Sequence, residues 1–407
     1  MKVTRRWIVV PIAGLLLVAA LWYELHSGSP PKATSTPAGR VATPAHPSSA
    51  PAHPSANVPP SASAPSRETV VCGIGTVQLD SEDKAAPFNY VERLTRAAQS
   101  RWRRSLLDSD DYHERAAGLL LQSRGWDFDP SSGMPVRTHD AELARDELVQ
   151  LAAGLNDLPV YAMAIRACDS TDDDGVQGAA CNQISLAKWA QMDPDNAAPW
   201  LGMATAAHSR SDQAAERDAV AHAVQAHGVD FYNDSLLFYA SAGMPADTTD
   251  LQRAAFFDDR IGHVGGDGHA HAFVTSQYCT VAAVQESSIH AQCAALAELL
   301  ANHGRNTLDL SAAATIGSRV GWGSERVSAM REEVLAMFRS EIYSGKDPWS
   351  CDNVRALTEF AGIQARSGEL AAARAAIKKS GKSISELGQD QQDSVRESVS
   401  LILAPSQ

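Results

Sequence analysis

Aromatic residues are scarce in this chain, 6% of 407 positions, so a core built from it must pack Ala, Leu and Val rather than rings. A surplus of positive charge is missing too: 35 Lys and Arg stand against 48 Asp and Glu, a net charge of -13. That balance argues against nucleic acid as a partner, because neutralising phosphates takes a basic face. The dense basic run Arg101, Arg103 and Arg104 sits beside Asp108, Asp110 and Asp111 and reads as a solvated helix face. No Cys-x-x-Cys pair is present, which disfavours zinc held by cysteines. No Gly-x-Ser-x-Gly elbow occurs, and 262–268 lacks both the strand before it and the Lys-Ser/Thr after it that a phosphate-binding loop needs. The sequence thus gives no sign of a cofactor and no assembled catalytic motif.

What is present first is a signal for export. Lys2, Arg5 and Arg6 precede an uncharged run at 7–23, and cations ahead of an apolar segment hold its N-terminus in the cytoplasm. Seventeen residues is the short end of what spans hydrocarbon. Trp7 at one end and Trp22 with Tyr23 at the other read as interfacial anchors of a retained helix. Val18, Ala19 and Ala20 instead offer a small-residue sequence that a signal peptidase accepts. Thr4-Arg5-Arg6-Trp7-Ile8-Val9 also resembles a twin-arginine export signal, without its later Lys. The expected topology is a single pass through the inner membrane of a bacterial-type envelope, with the C-terminal domain in the periplasm.

Residues 27–67 are Pro, Ala, Ser, Thr and His with almost no large apolar side chain. Such a segment buries too little to offset the entropy of ordering, and reads as a disordered spacer. Polyproline II backbone at about 3.1 Å per residue gives it a reach on the order of 120 Å. His46 and His53, each in an Ala-His-Pro repeat, reflect composition rather than a chelating site. The chain therefore divides into an anchor at 1–26, a linker at 27–67 and a folded domain at 68–407.

After a short β-prone arm at 69–77, apolar spacing of three and four dominates and predicts an all-α domain without a second strand run. Helices are expected over 88–107, 110–124, 140–154, 158–168, 182–192, 197–209, 212–227 and 235–242. Further ones are expected over 270–279, 293–303, 311–320, 325–343, 352–367, 369–379 and 389–403. Thr138 ahead of Asp140 and Gly304 after His303 punctuate them as a start and a stop should. Two places resemble tetratricopeptide repeats. In one, Trp200, Met203, Ala204 and Ala207 occupy the contact positions and Ser211 with Asp212 the turn. In the other, Leu357, Phe360, Ala361, Gly368 and Ala373 do so. Ala204 and Ala361 stand where glycine is commonest, and Glu216 where a small residue belongs. The resemblance implies stacked antiparallel helical hairpins, the architecture of an α-solenoid, and with it a surface for a protein or peptide partner in the envelope.

Six cysteines in an exported chain read as a disulfide framework. Cys168 ends one helix and Cys181 opens the next, and Cys279 with Cys293 repeat that arrangement. Adjacent helix termini lie within bridging distance, which leaves Cys72 for Cys351. The sharpest cluster of possible ligands is His263, Asp267, His269 and His271, whose three imidazoles and carboxylate match a tetrahedral metal in number. Intervening glycines and the wide angle between His269 and His271 on a helix favour solvent-exposed histidines. An envelope hydrolase or metal-binding protein using this 263–271 loop is the alternative to a non-catalytic interaction protein. The loop at 172–175 has Ser170 and Cys181 where a calcium loop needs its first carboxylate and its bidentate Glu.

Overall fold

Side chains that satisfy the first free backbone N–H groups mark where the helices begin. Asp111 accepts from the amides of His113 and Glu114, Thr138 from Ala141, Asn196 from Ala198, Asp212 from Ala215, and Ser350 from Asn353. The structure, a computed structural model, describes residues 66–80, 86–128, 135–169, 178–264, 268–339 and 347–403. Among these residues the fold is mostly helical and rich in helical hairpins, with sixteen α-helices and two small sheets. The anchor at 1–26, nearly all of the linker at 27–67 and the loop at 172–175 lie outside the described residues. No described helix is long and apolar enough to cross a membrane.

The helices are α1 Ala86–Leu107, α2 Tyr112–Ser123, α3 His139–Gly154, α4 Leu158–Asp169, α5 Leu186–Met192, α6 Ala197–Ser209, α7 Gln213–Ala223 and α8 Asn233–Ala242. They continue as α9 Asp250–Val264, α10 Gly268–Phe273, α11 Ser287–His303, α12 Thr307–Arg319, α13 Ser324–Arg339, α14 Cys351–Ser367, α15 Glu369–Ser380 and α16 Ile384–Leu403. Consecutive helices pack as pairs: α2 with α3, α6 with α7, α11 with α12, and α14 with α15. Contacts between helices distant in sequence join these pairs, notably α14 with α8 and α9, and α13 with α16.

The chain separates into two units. The smaller, 1–68 with 78–86, shows among its described residues the outer ends of the hairpin formed by β1, Ser66–Val71, and β2, Gly75–Asp80. There Gln78 Nε2 donates to Glu68 Oε1 at 2.9 Å. The larger, 69–77 with 87–407, carries three apolar cores. The first gathers Val71, Trp102, Leu120, Met163, Leu237, Phe256, Trp349 and Leu357. A second centres on Leu201, Val220, Phe273, Leu296 and Ile316, and the third on Leu310, Val334, Met337 and Leu370. Small residues let the helices approach: Ala116, Ala117, Ala204, Ala313 and Ala361 are all fully buried.

All six cysteines are paired, as Cys72–Cys351, Cys168–Cys181 and Cys279–Cys293, with Cα separations of 4.6, 5.8 and 5.8 Å. The pairing is the one expected from the cysteine spacing, although Cys293 lies within α11 rather than opening it. The Cys72 bridge is reinforced by backbone: Cys72 N donates to Trp349 O at 2.8 Å, and Val70 N to Asp347 Oδ1 at 3.0 Å. Phe88 meets the buried Trp349 ring edge-on.

Three local expectations differ from the structure. The arm at 69–77 is not one extended segment but turns between β1 and β2, through Gly73 and Gly75 at φ +76° and +100°, values that favour glycine. A second ribbon does follow it: β3, Trp126–Phe128, pairs antiparallel with β4, Pro135–Arg137. Strands of three residues are too short to show a period of two. Helix α9 has no counterpart among the expected helices. It buries Leu251, Ala254 and Ala255 at a spacing of three and four, together with Phe256 and Phe257, so a helical stripe was there to be read.

Candidate functional site

One polar junction gathers residues from four places in the larger unit: the loop before α8, the α11–α12 turn, the end of α14 and the start of α15. Its lining includes Asp230, Asp234, Arg305, Gln364 and Glu369. At the α11–α12 turn, Asn306 Oδ1 accepts from Asp309 N at 2.9 Å, while Asp309 Oδ2 accepts from Arg305 N and Asn306 N at 2.7 and 3.1 Å. This reciprocal cap fixes the direction in which α12 leaves the turn. The remaining oxygen of Asp309, a residue with no exposed surface, accepts from His271 Nε2 at 2.6 Å.

Arg305 ties the turn to its neighbours. Its guanidinium reaches Asp230 and Asp234, each at 3.4 Å, and its carbonyl accepts from Leu370 N at 3.1 Å. Glu369 Oε1 accepts from both the amide and the hydroxyl of Thr307. The loop before α8 is held in a costly conformation, because Tyr232 sits at φ +57°. Two hydrogen bonds hold it there: Tyr232 OH donates to Asp193 Oδ2, and Tyr232 N to Asp230 Oδ1.

Carboxylates outnumber cations at this junction. Burial pushes the carboxyls of Asp230, Asp234 and Glu369 upward, and the facing Arg305 only partly opposes this at the two aspartates. Asp234 is pushed up to about 6. Burial, with Asp193 beside it, also raises the Tyr232 phenol. The cavity amounts to about 10 Å³, the size of a single water molecule. Such a space excludes an organic substrate, since small-molecule sites run to roughly 300–1,000 Å³. The arrangement ties these segments of the larger unit together through ion pairs and hydrogen bonds.

Of the four candidate metal ligands, only His271 has a described side chain. It is buried against Phe231 and committed to Asp309. Asp267 lies outside the described residues, and the side chains of His263 and His269 are likewise not described. Among the described residues no three of His, Cys, Asp and Glu are grouped to hold a metal ion. Sequence reasoning missed Asp230, Asp234, Arg305 and Glu369, although the Asn-x-x-Asp signature at Asn306 was there to be read as a helix start.

A second feature lies on the surface. His113 at the start of α2 stacks on Tyr239 of α8, with centroids 4.2 Å apart, and lies 4.1 Å from the tilted ring of Tyr112. Phe238 extends the row edge-on. Tyr112 and Phe238 are 40% and 47% exposed, high values for large apolar side chains. Asp157 Oδ2 anchors the row by accepting from Tyr112 OH at 3.3 Å and His113 Nε2 at 2.9 Å. Compared with family models, with curated proteins and with solved structures, the chain matches none, so the reading of its function rests on its own residues.

Proposed function

We propose that this chain is a single-pass envelope protein whose tethered helical hairpins, of tetratricopeptide-like kind, bind a protein or peptide partner outside the cytoplasm without catalysing a reaction. The observation that carries the reading is the contrast between the two features above. The enclosed polar junction is too small for a substrate, while preorganised aromatic side chains stand exposed on the surface. Exposed aromatics on rigid elements are the usual anchors of protein recognition.

Export supports this reading from another side. Every cysteine is spent on bracing the fold, as oxidising compartments permit, and the charge order around 7–23 directs the domain outward. Leu357, Ala361 and Ala373 are buried where the repeat resemblance needs contact residues, and Gly368 takes the turn at φ +91°.

Crosslinking in intact cells, followed by identification of what is attached, tests the proposal. A discrete protein or peptide adduct on the folded domain is expected. Turnover of a small molecule by the purified chain, with no such adduct in cells, would overturn it.

A further inference from the structure

Aromatic rings with carboxylates beside them form a particular kind of surface. Ring faces carry negative potential and attract a cation placed above them, and a nearby carboxylate adds a charged partner. The row Tyr112, His113, Tyr239 and Phe238 has both elements. Asp111 caps α2 through His113 N at 2.8 Å, and its side chain remains 55% exposed. Asp157 caps α4 through Val160 N and fixes Tyr112 and His113 from below.

The charges that act on the two phenols share one sign. Burial raises the Tyr112 and Tyr239 phenols, Asp157 and Asp111 push them further upward, and no lysine or arginine is among the groups that shift either one. Arg115, on the same helix as Tyr112, pairs with Glu147. The chain as a whole carries a net charge of -13, so a cationic segment is drawn to it at long range.

We propose that this face binds an arginine side chain presented by a peptide segment of the partner, with the guanidinium stacked on the exposed Tyr112 ring and paired with the neighbouring Asp111. The inference rests on the interaction reading and names the chemistry that the partner must bring. Arginine suits the face better than lysine, because a planar, weakly hydrated guanidinium stacks on rings and pairs with a carboxylate at once. Little ordering is needed on this side. The hydrogen bonds to Asp157 already hold the rings in place, which lowers the cost of binding.

The full chain in detergent micelles, with its tyrosines and phenylalanines isotopically labelled, is titrated with N-acetyl-arginine amide and, separately, with the isosteric, uncharged N-acetyl-citrulline amide. The arginine compound is expected to shift the Tyr112, Tyr239 and Phe238 resonances at concentrations roughly tenfold lower than citrulline. The double variant Tyr112→Ala with Phe238→Ala should lose that preference while keeping its melting temperature, since both side chains are exposed. Asp111→Asn should reduce the preference in a chain that retains both rings, and covers the case in which the double variant fails to fold. Equal shifts from citrulline, no shifts at all, or choline acting as strongly as arginine would overturn the proposal. An adduct recovered in cells equally from wild type and from the double variant would leave the interaction reading standing and remove this face from it.

Discussion

At the scale of single residues, the polar junction shows how burial moves a carboxyl that has few partners. Asp234 and Asp309 are both buried aspartates near Arg305, yet they differ in support. Asp309 accepts from two backbone amides and from His271, while Asp234 has a guanidinium at 3.4 Å. Burial accordingly raises Asp234 to about 6, well above its ordinary value of 3.8. A carboxyl whose pKa is higher in the folded state binds more protons when folded, so its contribution to stability grows as pH falls. Charged Asp234 at pH 7 costs on the order of 2 to 3 kcal/mol, and the cost fades between about pH 6 and pH 4. Asp234→Asn is therefore expected to be more stable than wild type at pH 7, with the advantage vanishing by pH 4. Urea unfolding of both chains across that range checks it, and a constant difference would contradict the burial account of Asp234. Nothing in the sequence marked this residue, because its partner Arg305 is 71 positions away. The Asn306 cap, by contrast, is written in four consecutive residues.

Elements were more legible than residues. Most helices follow from apolar spacing, since each presents one buried side, as α14 does with Val354, Leu357, Ala361 and Gln364. The exception, α9, also shows spacing of three and four in Leu251, Ala254 and Ala255, with Phe256 and Phe257 widening its buried side. Trp200 was expected between the two helices of one hairpin; it lies on α6 and stacks on His222 of α7, with centroids 4.3 Å apart, but stays half-buried. Gly368 was read as a turn glycine on repeat resemblance, and its backbone explains why. It ends α14 and begins α15 at φ +91°, ψ +162°, a region that side chains avoid. A Cβ there would meet Asp234 Oδ2 at an ordinary 3.4 Å, so the penalty is backbone strain, not collision. Gly368→Ala is expected to cost roughly 1 to 3 kcal/mol. Gly381→Ala, at a left-handed helical φ of +69° with open space around it, should cost nearer 1 kcal/mol. Denaturant midpoints that ranked the two in the opposite order would show that the α14–α15 turn has a different conformation.

For the whole molecule, the proposed export and the disulfide-braced fold go together, because oxidising compartments permit such bridges. Cysteine spacing carried the three pairings because two bridges join cysteines 13 and 14 positions apart, leaving Cys72 and Cys351 as the remaining pair; Cys293 lies in the second turn of α11 rather than at its start. That last bridge closes 279 positions and anchors the N-terminal hairpin to α14 beside Trp349. The aromatic face was invisible in sequence, because Tyr112 and Tyr239 meet only when α2 and α8 pack. The measurement that bears most directly on an exported, disulfide-braced fold is non-reducing peptide mapping of the chain taken from cells, with free thiols alkylated before lysis. An exported domain with this fold yields Cys72–Cys351, Cys168–Cys181 and Cys279–Cys293 as linked peptides and no alkylated cysteine. Recovery of all six cysteines in alkylated form would place the domain in a reducing compartment and contradict both its export and its bracing.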